Sequence, residues 1–260
     1  MLTDGVSVIV PTRDSCHSLP TLLRSLTNQE EPPDETLIVD GASSDGTPAV
    51  ATATGARVIV DGTPGGGRGS ARNLGAAQAR CSTLLFLDSD MEVAKGVISE
   101  VRALVKAGAR AIILPETTSG RGLNGSIRTW ERALIQTRNE LCFARVLDRD
   151  LFLSTGGFDP RLWGFEDLDI QATLIERGIT FQRTKANLIH HEEEFDVLTY
   201  FRKRRHYQRT SSIFRSKHPQ LAEVVFSPYH RLKLYLSGVH GPRDLVLLGA
   251  ASSLRIGEVL

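Results

Sequence analysis

Short apolar runs alternate with stretches of helical period through the first half of the chain. Val6–Val10, Leu37–Val39, Val58–Val60 and Leu84–Leu87 are β-branched or Leu-rich, and they stop at Pro11, Asp40, Asp61 and Asp88. Between them Leu19, Leu22, Leu23 and Leu26 recur at helical spacing, and Ala71–Ala79 is a helix-forming stretch behind a glycine-rich loop. Strand, helix, strand in this order predicts a mostly parallel, Rossmann-like sheet flanked by helices, an α/β class. Open sheets of that kind bind ligands at the carboxyl ends of their strands. Four strands here deliver acidic or turn residues to those ends.

The regularity weakens past Ala111–Leu114. Thr117–Gly125 is rich in Gly and Ser and reads as a mobile loop, while Glu140–Leu147 reads as a strand. A turn at Gly156 and Gly157 precedes a helix over Asp167–Arg177, followed by two short strands, Ile179–Arg183 and Asn187–His190. Trp130, Leu134 and Leu141 are assigned to the core. From Asp196 onward the chain reads as helical and basic, which predicts a main domain over residues 1–191 and a helical basic C-terminal extension over 192–260.

Composition narrows the class. The chain has 260 residues, 41% hydrophobic and 23% charged, the balance of an ordinary soluble globular protein. A formal net charge of +1 argues against nucleic acid as the main partner, since neutralising a phosphate backbone takes a surplus of Lys and Arg. Cys16, Cys81 and Cys142 are widely spaced and form no CxxC pair, so the sequence suggests neither a disulfide framework nor a zinc site. The N-terminus lacks the pattern of a signal peptide, and the apolar run Leu245–Ala251 is far shorter than the about 20 residues that cross a bilayer. The expected location is cytoplasmic, with any membrane role peripheral, at the inner face.

Several residue groups carry candidate chemistry. Asp88, Ser89 and Asp90 follow a buried-type strand, where two carboxylates suit Mg²⁺ or Mn²⁺ shared with substrate phosphates; a helix cap ahead of Lys95 is the plainer reading. Arg68 and Arg72 sit where a loop with five glycines, Gly62 to Gly69, opens a helix. Guanidinium donors and helix-start amides both favour phosphate, against the alternative of a solvated helix face. Glu166 and Asp167 are adjacent carboxylates at a helix start behind Trp163, Gly164 and Phe165. If both are partly buried, one pKa rises and yields a proton acceptor near neutral pH; first-turn acids are also favoured by the helix dipole alone.

His190 and His191 end a strand-like run and offer imidazole to a divalent ion. Glu192, Glu193 and Glu194 read as a solvated turn. Arg202, Lys203, Arg204, Arg205, His206 and Arg209, interleaved with Phe201 and Tyr207, fit a solvated helix, a diphosphate clamp or a surface for anionic lipid. Arg231–Leu236 mixes basic and apolar residues in the manner of shallow membrane contact.

Taken in order, VSVIVPTRD, VDGASSDGT, GGGRGSARNLG, the Asp88–Asp90 motif and GGFDPRLWGFEDLD resemble the pattern of glycosyltransferase family 2 over about Val6–His191. That resemblance implies a GT-A fold, with a nucleotide-sugar half over about 1–95 and an acceptor half over about 96–191. It implies an inverting, metal-dependent transfer with Mn²⁺ or Mg²⁺ from a UDP, GDP or dTDP sugar to a glycan, a lipid-linked or a small-molecule acceptor. By the same resemblance Pro11, Thr12 and Asp14 form the first nucleotide-contacting loop, Asp40 accepts from the base, and Arg68, Arg72 and Asn73 contact base, sugar and diphosphate. Asp88, with Ser89, matches the ribose contact, while Asp90 and His190 match the metal ligands. Asp167 matches the general base and Glu166 the residue that orients the acceptor, while Asp169 reads as structural. Gly41 departs from the pattern, since members commonly carry a second acidic residue there.

A nucleotidyltransferase making nucleotide sugars would place its glycine-rich loop directly after the first strand, where PTRD stands instead. A dinucleotide-dependent oxidoreductase is excluded because Gly65 and Gly67 are followed by Ser70, breaking G-x-G-x-x-G. An inactive carbohydrate-binding protein of the same fold is opposed by the intact Asp88, Asp90, Asp167 and His190.

Overall fold

The computed structural model describes residues 3–63, 66–120, 122–191, 202 and 205–256. Strand β1 (Thr3–Thr12) is buried without a break from Val6 to Thr12, which requires cover on both faces of the sheet. Helix α1 (Leu19–Thr27) supplies part of that cover through Leu19, Leu22, Leu23 and Leu26. The chain continues through β2 (Glu35–Asp40), α2 (Thr47–Ala53), β3 (Arg57–Val60), α3 (Arg68–Gln78), β4 (Cys81–Phe86), β5 (Met91–Val93), α4 (Val97–Lys106), β6 (Ala111–Ile113) and β7 (Glu116–Thr118). Then follow α5 (Gly122–Ile135), β8 (Val146–Asp148), α6 (Arg149–Ser154), α7 (Glu166–Glu176), β9 (Gln182–Arg183) and β10 (Leu188–His190). Four more helices are described: α8 (Ser211–Lys217), α9 (Pro219–Phe226), α10 (Pro228–Ser237) and α11 (Pro242–Ile256).

Seven strands form the main sheet in the order β3-β2-β1-β4-β8-β6-β9. β1 to β4 are mutually parallel where they pair, and β8 runs antiparallel to both β4 and β6. One apolar layer packs Val8, Val10, Leu22 and Val101 against Ile112; the other packs Ile9, Val39, Ala76, Phe86 and Phe152 against Leu174. Helix α3 can lie this close to the sheet because position 75 is glycine. A Cβ there would fall 2.5 Å from Ile9 Cγ2 and 3.1 Å from Val39 Cγ2. The close approach carries Arg72, one turn earlier, to the strand ends. A second sheet, β5-β10-β7, sets His190 opposite Met91 and beside Thr118.

The C-terminal helices share cores with the α/β part. Phe214 and Ala222 pack on Leu162 and Phe165, with the Phe165 and Phe214 rings stacked at 5.6 Å. Ile127 of α5 joins Tyr235, Leu247 and Ala251. Buried His218 contacts Glu176 at 2.8 Å and Asp169 at 3.0 Å, fastening α7 to the α8–α9 junction. No helix of the described residues is long and apolar enough to cross a membrane.

Three segments differ from the sequence reading; of Ile179–Arg183 only Gln182–Arg183 is strand. Of Glu140–Leu147 only the end is strand, and Asn139–Leu141 is a 3₁₀ turn. The buried Gln171 side chain takes the place of a strand partner, accepting from Ala144 N at 3.0 Å and donating to Asn139 O at 2.7 Å. Thr117–Gly125, read as a loop, contributes to β7 and to the first turn of α5. Tertiary packing decides the helix, because Ile127, Trp130 and Leu134 stand at helical spacing against α10 and α11.

Candidate active site

The exits of β1 and β2 are laced together. Thr12 Oγ1 donates to Asp40 Oδ1 at 3.0 Å, and Ser43 donates to the same carboxylate through Oγ at 2.6 Å and N at 2.8 Å. Asp40 is thus a buried carboxylate with its oxygens engaged inside the protein, and Pro11 is buried in β1 beside Val39. Asp14 takes a positive φ of 48° so that its N donates to Ser43 Oγ at 2.8 Å and its Oδ1 accepts from Ser44 N at 2.9 Å. Ser89, past the end of β4, donates to Ser15 Oγ at 3.1 Å, tying the Asp88–Asp90 turn to this first loop.

The central feature is Arg72. Its side chain is 0% exposed, and it donates through Nη2 to Asp88 Oδ1 and through Nη1 to Asp167 Oδ1, each at 2.7 Å. Glu166 Oε1 lies 4.0 Å from Nη1, and 3.2 Å from Nη2 of the half-exposed Arg68. Phe158 and Phe143 flank the Arg72 guanidinium at 5.3 and 5.8 Å, within cation–π range. Enclosed this way, Arg72 presents no surface to a ligand, and its influence on one runs through Asp88 and Asp167. Asn73 does not face the cluster: its amide donates to Phe158 O at 2.8 Å and accepts from Phe158 N at 2.9 Å, fixing the turn ahead of α7.

Arg145 and Glu116 belong to the same constellation and were not singled out from the sequence; Tyr207, named there only within the basic segment, joins them. Buried Arg145 donates to Asp88 Oδ2 at 3.3 Å and to Glu116 Oε1 at 2.6 Å, and Glu116 also pairs with Arg132. The signal was present: a lone arginine inside the apolar stretch Cys142–Leu147 must be paired if that stretch is buried. Tyr207 left less trace. Gly164, with φ of 79° and no side chain, lets the Tyr207 ring sit against it, and the phenol oxygen accepts from Arg68 Nη2 at 3.4 Å. The ring of Trp163 meets that of His206 edge-on at 4.9 Å. Arg202, Arg205 and Arg209 are exposed nearby, while Lys203, Arg204, Phe201 and the acidic run Glu192–Glu194 lie outside the described residues.

These contacts set the protonation states. Burial alone would raise the Asp88 pKa, but the guanidiniums of Arg72, Arg145 and Arg68 outweigh it and hold the carboxyl well below the ordinary range. Glu116 is likewise lowered, with Arg145 and Arg132 overcoming its burial. Glu166 moves the other way: burial, then repulsion from Asp167, raise its pKa despite the opposing charges of Arg68 and Arg72. Glu166 therefore keeps its proton more readily than an ordinary glutamate.

Asp90 and His190 meet at the edge of the cluster, His190 Nε2 lying 3.2 Å from Asp90 Oδ2. His191 instead contacts Glu92 at 2.9 Å and Ser119 at 3.1 Å. Asp90 Oδ1 and His190 Nδ1 are both buried without a hydrogen-bond partner. Among the described residues no group of three or more His, Cys, Asp or Glu is arranged to hold an ion. Two orphaned donor atoms of this kind fit a divalent cation whose remaining ligands are water and substrate phosphate. Asp169 turns away, toward Lys217 and His218.

The family model for glycosyl transferase family 2 matches residues 7–169, a span that holds Asp40, Asp88, Asp90, Glu166 and Asp167. Over 96 residues the chain is 34% identical to a 4,4'-diaponeurosporenoate glycosyltransferase of Staphylococcus haemolyticus (strain JCSC1435), a match taking in 35% of this chain and 25% of that protein. Among solved structures it is similar to S. aureus TarS at 18% identity over 97% of this chain. The TM-score is 0.64, with 88% of the other chain covered, for the 1–349 form in complex with UDP-GlcNAc, and 0.61, with 53% covered, for the longer form. A mannosyltransferase from Pyrobaculum calidifontis, PcManGT, in complex with GDP-Man and Mn²⁺, aligns with a TM-score of 0.63 and 18% identity, covering 98% of this chain and 76% of that one. The chain thus spans about a quarter of the curated relative and about half of the longer TarS. These likenesses establish the GT-A fold.

Proposed function

We propose, for a chain that belongs to glycosyl transferase family 2 by its match over residues 7–169, that it moves a sugar from a nucleoside-diphosphate sugar to an acceptor with inversion at the anomeric carbon. One observation carries the reading: Arg72 bridges the strand-end Asp88 to the helix-start Asp167, each at 2.7 Å, setting donor-side and acceptor-side carboxylates next to each other. UDP-GlcNAc and GDP-Man in the similar structures favour a nucleotide-sugar donor of the UDP or GDP type.

In this mechanism the acceptor oxygen attacks the anomeric carbon, the bond from that carbon to the diphosphate breaks, and the acceptor proton passes to Asp167. Arg72 holds Asp167 by one oxygen and thereby fixes its direction. Glu166, beside Asp167 at the start of α7 and 3.2 Å from Arg68, orients the acceptor. Arg68 is the guanidinium with open surface, and it meets the leaving diphosphate. Asp14, with Thr12 and Asp40 bracing its loop, lines the nucleoside end. Asp90 and His190 would hold Mn²⁺ or Mg²⁺, which when bound neutralises charge developing on the leaving phosphate. A positioned base of this kind contributes roughly 10² to 10⁴ in rate.

The experiment is to offer the purified protein UDP, GDP and dTDP sugars with and without Mn²⁺, following thermal stabilisation and nucleoside diphosphate release. The reading predicts stabilisation by one nucleotide class and metal-stimulated release. Absence of both, for every nucleotide, refutes it.

A further inference from the structure

Among the described residues, five of the ten exposed large apolar side chains belong to the last two helices: Tyr229, Leu232 and Leu236 on α10, and Leu245 and Val246 on α11. Their spacing puts them on the outward faces. Positions 229, 232 and 236 are three and four residues apart and share one side of α10 with exposed Lys233, while Leu234 and Tyr235 on the opposite side are buried. On α11, Leu247 and Ala251 are buried against the neighbouring helices while Leu245 and Val246 face out. A surface helix ordinarily turns its polar residues to water. Here each helix carries exposed apolar side chains on its outer face as well as buried ones on its inner face, among the described residues.

Charge identifies what fits. Helices α10 and α11 hold Arg231, Lys233, Arg243 and Arg255 against the single acid Asp244, although the whole chain is nearly balanced at 31 against 30. Helix α10 contains Arg231 and Lys233 and no acid, and Arg243 is exposed at the start of α11. A two-fold contact with a second copy would set each patch against itself, bringing these cations together. Apolar side chains with exposed Lys233 and Arg243 on the same helices match an anionic bilayer instead, where the former enter the acyl boundary and the latter stay level with the phosphates. We propose that the outward faces of α10 and α11 form a docking surface for an anionic lipid bilayer, seated through Tyr229, Leu232, Leu236, Leu245 and Val246 and steered by Lys233 and Arg243. The proposal is independent of the transfer reaction, since none of these residues enters the active-site cluster.

The test is co-sedimentation of the full chain with vesicles of phosphatidylcholine containing phosphatidylglycerol, compared with pure phosphatidylcholine, together with sedimentation velocity of the protein alone. The expected result is binding to the anionic vesicles that weakens with salt. Lys233→Glu with Arg243→Glu should lower the partition coefficient tenfold or more, because each cation contributes about fivefold near such a surface. Leu232→Glu with Leu236→Glu should abolish binding, and single Leu232→Glu should weaken it, with an unchanged melting midpoint for these exposed positions. Equal sedimentation with both vesicle types, variants that bind as the wild type does, or a dimer that Leu232→Glu dissociates would each overturn the proposal, the last by assigning the face to a second copy.

Discussion

Arg72 Nη1 donates to Asp167 Oδ1 at 2.7 Å from a guanidinium that has no exposed surface. The position of a helix-start carboxylate is therefore set by a residue on another helix, which is itself held by Asp88. Removing the guanidinium leaves buried carboxylate uncompensated, a defect that costs about 3–5 kcal/mol. Arg72→Met, which keeps the stem between Phe143 and Phe158, should be destabilised by that order in urea unfolding and lose transfer activity. Arg68→Met removes a half-exposed partner and should cost about 1 kcal/mol or less, yet weaken nucleotide binding in calorimetry. Equal destabilisation by the two would refute the division of labour.

The lowered pKa of Asp88 makes a pH prediction with a fixed sign. A carboxylate depressed in the folded state stabilises above its ordinary value of 3.8, and that contribution is lost as pH falls toward the folded value. Asp88→Asn should therefore be less stable than the wild type at neutral pH, and the gap should close as pH drops below about 4. Thermal melts of both proteins across that range measure the gap; a gap independent of pH contradicts the assignment.

Asp90 and His190 are predicted to act as a pair. Asp90→Ala and His190→Ala should each abolish Mn²⁺ stimulation of nucleoside diphosphate release and leave the melting midpoint near that of the wild type, because Asp90 is half-exposed in a turn and His190 lies at the end of a short strand. His191→Ala, which loses only contacts to Glu92 and Ser119, should retain the stimulation. Unchanged Mn²⁺ dependence in Asp90→Ala removes the metal assignment.

Much of this was legible in the chain. The apolar runs ending at Asp40 and Asp88 gave the parallel core directly, since strands buried on both faces show no polar interruption. The Asp88–Asp90 turn and the Glu166–Asp167 helix start were readable as local motifs. Their union was not, because Arg72 is 95 residues from Asp167, and only the packing of Gly75 on Ile9 brings them together. Glu116 and Arg145 escaped because the pairing that makes a buried charge tolerable is a long-range property. The 3₁₀ turn at Asn139–Leu141 was read as strand for the same reason: the competing partner, Gln171, is distant in sequence.

The roles of Asp167 and Glu166 can be separated by paired substitutions. A general base acts on the acceptor, so Asp167→Asn should lower transfer by roughly 10² or more while nucleoside diphosphate affinity with Mn²⁺ stays near wild type. Glu166→Gln should have a milder effect on transfer and a distinct signature in stability. A raised carboxyl pKa contributes stability that is fully present below the ordinary value of 4.5 and is lost as pH rises through the folded value. The Gln variant escapes that loss, so it should gain on the wild type as pH climbs above about 4.5. The contrast is sharp because both side chains meet one arginine, Arg72. If Asp167→Asn transfers sugar within a few-fold of wild type while Glu166→Gln does not, Glu166 is the proton acceptor and Asp167 is the carboxylate that holds Arg72 in place.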